Sequence, residues 1–139
     1  NLQAALGCAQ LERLPEFVAA RRRIAGHYRE SLDGRGCRFL GEAPGVESAF
    51  WLSSMRVDGD SSRPLLQHLN QLGIQARPLW QPMHLSPAHA RDWPAWPMPV
   101  ADAIYREGLS LPSSPSLSGD DQEFVIHSIR RFLRAAGVA

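Results

Sequence analysis

Between Pro78 and Pro99 the sequence places six prolines, in a run that also holds three of its four tryptophans. Each proline lacks a backbone N–H, fixes its own φ and restricts the residue before it. Neither a regular helix nor a central strand can pass through such a run. It must be a long irregular connection, of the kind that is functional or docked on something. Its first part, "RPLWQPMHLSP" (77–87), offers a guanidinium, an indole, an amide, a thioether and an imidazole. The prolines pre-organise the backbone that presents them.

The elements must therefore lie on either side. Residues 1–14 carry Leu2, Leu6, Ala9 and Leu14 close to one helical face, and Pro15 breaks that helix or opens the next. Residues 15–32 form a second helix with Phe17, Val18, Ile24, Tyr28 and Leu32 as its apolar stripe, ended by the glycines of "DGRG". "CRFL" (37–40) reads as a short strand. "AFWLSSMRV" (49–57) reads as a longer one, with Phe50, Leu52 and Ser54 on one side and an imperfect alternation around Trp51. Ser62 is placed to cap a helix through Leu65, Leu66, Leu69 and Leu72, which Gly73 ends. A strand over 74–78 feeds the proline-rich loop. A helix over 99–108, a strand over 109–112 and a helix over 119–136 follow, the last with Phe124, Val125, Ile129, Phe132 and Leu133 inward. The order ααββαβ(loop)αβα predicts an α+β fold. A small antiparallel or mixed sheet of three to four strands carries helices on one face and is preceded by a long broken helix. The chain reads as a single domain over 1–139, with 1–34 a helical lead-in and 35–139 the α+β part.

A chain of this length buries roughly two-thirds of its unfolded surface and needs no disulfide to fold. Cys8 and Cys37 form no CxxC and no framework, so both are expected as reduced thiols in a cytoplasmic protein. No stretch is long and apolar enough to suggest a membrane span. With a net charge of +1 there is no field to argue for nucleic acid, and Arg21-Arg22-Arg23 fans around a helix as a solvated face. All fifteen basic residues are arginine. A chain without lysine cannot form an internal Schiff base or use a P-loop lysine.

No GxSxG elbow and no GxGxxG turn is present. His84 and His89, with Asp92 near, are a weak signal for a metal, and none is expected. His27, His68 and His127 fall within helices. Trp93 and Trp96 are expected to pin the loop by burying their rings. Trp80 differs because of its neighbours: Arg77 can hold a carboxylate or phosphate bidentately, Gln81 can read a hydroxyl or amide, and His84 can donate or accept.

"NLQAALGCAQLERLPEF" and "RRRIAGHYRESL", then "AFWLSSMRV", "LLQHLNQLGIQARPLWQPMHLSP" and "LSLPSSPSLSGDDQEFVIHSIRRFL" stand in an order that resembles the small C-terminal domain of the DegT/DnrJ/StrS family. These are nucleotide-sugar aminotransferases that depend on pyridoxal phosphate (PLP) and have the aspartate aminotransferase fold. The likeness covers essentially the whole chain. Its loop is similar to members acting on UDP-4-keto-6-deoxy-hexosamines.

The resemblance implies a domain that closes one wall of an active-site cleft in a homodimer. The large PLP-binding domain, with the Schiff-base lysine, lies outside this sequence. Glutamate is the implied amino donor. Arg77, Trp80, Gln81 and His84 are the implied substrate contacts. No catalytic residue, cofactor ligand or metal ligand is assigned to this chain, Asn1 included. By itself the chain is expected to be inactive and to hold no PLP. For Arg77 the alternative is an ion pair within the domain, and for His84 a hydrogen bond that fixes the loop. The rival function is a stand-alone, non-catalytic remnant acting as a binding or assembly module.

Overall fold

The computed structural model describes residues 1–89 and 97–138. Asp92, Trp93 and Trp96, and with the last two the expectation that they pin the loop, lie outside the described residues. The elements run α1 (Leu2–Glu12), α2 (Leu14–Leu32), β1 (Cys37–Phe39), β2 (Ser53–Val57), α3 (Ser62–Gln71), β3 (Arg77–Pro78), α4 (Pro99–Glu107), β4 (Gly108–Leu111) and α5 (Gly119–Ala135). The strands form one sheet in the order β1-β2-β4-β3, with each neighbouring pair antiparallel. The fold is α+β as expected, and the sheet is antiparallel, not mixed.

Period-two alternation decides which face of the sheet is buried. On β2, Ser53, Met55 and Val57 are buried while Ser54 and Arg56 are half-exposed. The pairing of Met55 with Leu109 carries that face onto β4. Ile24, Tyr28 and Leu32 of α2, Leu65 and Leu69 of α3, and Val125, Ile126, Ile129 and Leu133 of α5 close over it. Each large aliphatic side chain removed from water contributes about 1.5–3 kcal/mol. Two polar side chains caught in this layer are paired across it. The Tyr28 hydroxyl donates to the Pro112 carbonyl at 3.0 Å, and Gln122 Nε2 donates to the Ile24 carbonyl at 2.8 Å. Ser118 caps α5 by accepting from the Asp121 amide at 3.1 Å.

Four local expectations change. β2 begins at Ser53, not at residue 49, because Phe50 takes a φ of +43° and breaks the extended run. Ser62 is not a cap: α3 starts at Ser62 behind a 3-10 turn over Gly59–Ser61, and its buried hydroxyl has no hydrogen-bond partner. Phe124 is exposed, not inward, whereas Ile126 joins the core. The strand expected over 74–78 is only Arg77–Pro78. No residue of α1 is buried, and Leu2 is 87% exposed. Among the described residues, no helix is long and apolar enough to cross a membrane.

Candidate functional site

The sheet face turned away from the core carries a polar row set by register. Ser54 on β2 pairs with Ser110 on β4, and Ser110 pairs with Arg77 on β3. Residues opposed across strands project to the same face. The two serine hydroxyls lie 3.1 Å apart within hydrogen-bond reach, and the exposed Arg77 ends the row. Pro78 closes β3 after two residues, and the chain leaves the sheet.

Two contacts fix where it goes next. Leu79 lies against Gly108, where an added Cβ would sit 2.2 Å from Leu79 Cδ1 and 2.4 Å from the Ile104 carbonyl oxygen. Only glycine admits that approach. Trp80 then meets Trp51, with ring centroids 6.0 Å apart and planes inclined by 35°. The pair is held from the other side as well, because the Ser113 hydroxyl donates to the Trp51 carbonyl at 3.1 Å.

Trp51, Leu52, Ser54, Arg77, Pro78, Leu79, Trp80 and Ser110 line a cavity of about 360 Å³. That is within the range of small-molecule pockets, about 300–1,000 Å³. Its chemistry is mixed. Indole faces suit a sugar ring or a base, the guanidinium suits a phosphate or carboxylate, and the hydroxyls suit ligand hydroxyls. Trp51 is 61% exposed and Trp80 is 75% exposed, so both rings are available to a ligand.

Of the four residues singled out from the sequence, Arg77 and Trp80 come together here, and Gln81 and His84 do not. Gln81 Nε2 donates to the Leu85 carbonyl at 2.8 Å, bracing the short 3-10 turn Met83–Leu85. His84 is largely buried, with Nε2 2.8 Å from Asp102 Oδ1 in the first turn of α4. Both side chains hold the loop. Among the described residues none forms an ion pair with Arg77. Trp51, Ser54 and Ser110 were not anticipated at the site. The broken alternation around Trp51 was their only trace in the sequence, because the serine row exists only once strand register is known.

Charged pairs brace the structure around the site. Arg56 donates to Glu107 through Nε at 3.0 Å, and those hydrogen bonds hold the Glu107 carboxyl below the usual range despite its partial burial. Arg22 binds Glu42 through both terminal guanidinium nitrogens, at 2.8 and 3.2 Å. That contact, followed by the Ser48 amide, lowers the Glu42 carboxyl in the same way. Cys37 is no nucleophile: burial pushes its thiol up to about 12. No cluster of His, Cys, Asp and Glu among the described residues can hold a metal. Covalent attachment of pyridoxal phosphate needs a lysine, and the chain has none, so these residues do not fit that cofactor.

Residues 1–130 match the DegT/DnrJ/EryC1/StrS aminotransferase family. The chain is 33% identical over 138 residues to GDP-perosamine synthase of Caulobacter vibrioides, covering 96% of this chain and 37% of that protein. It is 35% identical over 136 residues to the putative pyridoxal phosphate-dependent aminotransferase EpsN of Bacillus subtilis, covering 91% and 34%. Among solved structures it is similar to the aminotransferase TlmJ from Streptoalloteichus hindustanus, with a TM-score of 0.87 at 32% identity over 96% of this chain and 36% of that one. DesV of S. venezuelae, solved with a ketimine intermediate, gives 0.86 at 30% identity over 94% and 35%. The chain thus spans about a third of the length of the relatives it matches.

Proposed function

We propose, since this chain belongs to the DegT/DnrJ/EryC1/StrS aminotransferase family, that it forms the small domain of a PLP-dependent enzyme aminating a nucleotide-linked keto-sugar. A 4-keto-6-deoxy-hexosamine carried on UDP is the substrate favoured by the loop sequence. Glutamate is the proposed amino donor. In this reading the Schiff-base lysine and the groups that hold the cofactor belong to a large domain outside these 139 residues, in a homodimer. The chain itself contributes recognition: the indoles of Trp51 and Trp80 cover a ring, Arg77 takes a phosphate, and the serine row meets sugar hydroxyls. Gln81 and His84 act indirectly, by holding the loop that carries Trp80.

The observation that carries this reading is the convergence of Arg77 and Trp80 on one cavity with Trp51 and the Ser54–Ser110 pair. Saturation-transfer NMR of the chain with UDP-N-acetylglucosamine tests it. Transfer is expected, and Arg77→Ala or Trp80→Ala should weaken binding about tenfold, the equivalent of about 1.4 kcal/mol. No transfer with the unaltered chain, or transamination by the chain alone with PLP and glutamate, would sink the idea. The exposed Leu2, Leu6 and Leu11 of α1 favour a second reading, a non-catalytic assembly module. Concentration-dependent association of the chain, with no ligand binding at the cavity, supports that one instead.

A further inference from the structure

Phe50 is the one non-glycine residue with positive φ among the described residues, at +43°. A left-handed backbone is strained for an L-residue with a Cβ. It persists only where the surroundings over-determine it. Here the surroundings are explicit. The Phe50 amide donates to Ser48 Oγ at 3.1 Å, and the Ser48 amide donates to Glu42 Oε1 at 2.6 Å. Arg22, reaching from α2, holds both carboxylate oxygens of Glu42 and also donates to the Ser48 carbonyl. The Arg22 and Arg29 guanidinium carbons stand 5.6 and 5.8 Å from the Phe50 ring centroid, within cation–π reach. Arg29 also donates to the Leu40 carbonyl at 2.9 Å, where the arch begins.

The residue after this kink is Trp51, whose ring lies against Trp80. Because Phe50 is not extended, the direction in which Trp51 leaves the arch depends on that φ. We propose that Arg22 is a positioning residue: by clamping Glu42, the Ser48 carbonyl and the Phe50 ring, it sets Trp51 against Trp80. The inference goes beyond the proposed recognition of a nucleotide-sugar and rests on it only for its consequence in binding. Lysine can stand in only partly, because an ammonium lacks the planar fork with which Arg22 reaches both Glu42 oxygens and the Ser48 carbonyl.

The experiment reads the indole–indole exciton couplet in far-ultraviolet circular dichroism of the chain. Trp51→Phe and Trp80→Phe, each of which should abolish the couplet, assign it to this pair. Arg22→Ala should lose the couplet while keeping a cooperative thermal transition, and Arg22→Lys should restore part of it. Glu42→Ala removes the same clamp from the arch side and should lose the couplet too, which keeps the test decisive if Arg22→Ala does not fold. A couplet that survives in a folded Arg22→Ala or Glu42→Ala chain overturns the proposal. A second measurement separates this claim from the binding reading. Loss of the couplet with about tenfold weaker UDP-N-acetylglucosamine binding supports both. Loss of the couplet with unchanged binding supports the clamp and overturns the role of the indoles in recognition.

Discussion

His84, on a loop with no strand partner, and Asp102, in the first turn of α4, meet at 2.8 Å. The loop that carries Trp80 is therefore fastened by a side chain to the helix that follows the proline-rich run. His84→Ala should cost about 1.5–3 kcal/mol in urea unfolding, the range for a hydrogen bond to a charged group. Asp102→Ala should cost a similar amount, and the double variant should cost no more than either alone. Additive losses in that cycle would show that the two residues act separately.

Gly108→Ala should destabilise the chain by about 1–3 kcal/mol, as overpacking does. The new methyl would meet Leu79 Cδ1, which can turn away, but also the Ile104 carbonyl, which cannot without distorting α4. Denaturant unfolding measures the loss. Leu79→Ala in the same chain should recover only the part due to the side chain.

Acid should weaken the fold through Glu107 and Glu42, whose carboxyls are both held below the usual range, first of all by hydrogen bonds from Arg56 and Arg22. A lowered native value means that the unfolded chain binds more protons between the two values. The contribution is complete above the unfolded value, about 4.3 for glutamate. It disappears as pH falls through the lowered native values. Urea midpoints followed downward from pH 7 should be flat until about 4.3 and then drop. Glu107→Gln should be less stable at neutral pH and show a shallower drop.

The two thiols should separate cleanly. Cys8 is exposed on α1, and Cys37 is fully buried in the sheet with its thiol pushed up to about 12 by burial. Iodoacetamide at neutral pH should modify Cys8 alone, as read by peptide mass spectrometry. Cys37 should react only when urea unfolds the chain, with the same midpoint as the loss of circular dichroism.

Periodic elements were the most legible part of this fold. The stripe of α2 was readable as Ile24, Tyr28 and Leu32, and that of α3 as Leu65 and Leu69, because a 3.6-residue repeat needs no knowledge of partners. The start of β2 was not, because the left-handed Phe50 is maintained by Arg22 from another element, and no local propensity announces it. The leucines of α1 could be read as one apolar face, but periodicity says only that a face is apolar and not what covers it. At the site, Arg77 and Trp80 could be picked from the loop by residue type. Their neighbours Ser54, Ser110 and Trp51 depend on antiparallel register across three strands that helices separate in sequence. His84 took the other of its two expected roles in geometry: its Nε2 lies 2.8 Å from Asp102 Oδ1 and fastens the loop.

The two outer strands have a bearing on how the chain behaves in solution. β1 is three residues long and β3 only two, and Pro78 removes one of the amides with which β3 could add a neighbour. Margins this short, one of them bearing a proline, offer little template for a foreign strand. Prolonged storage of concentrated chain should therefore produce no cross-β fibrils, even with two indoles open to solvent beside one of those margins.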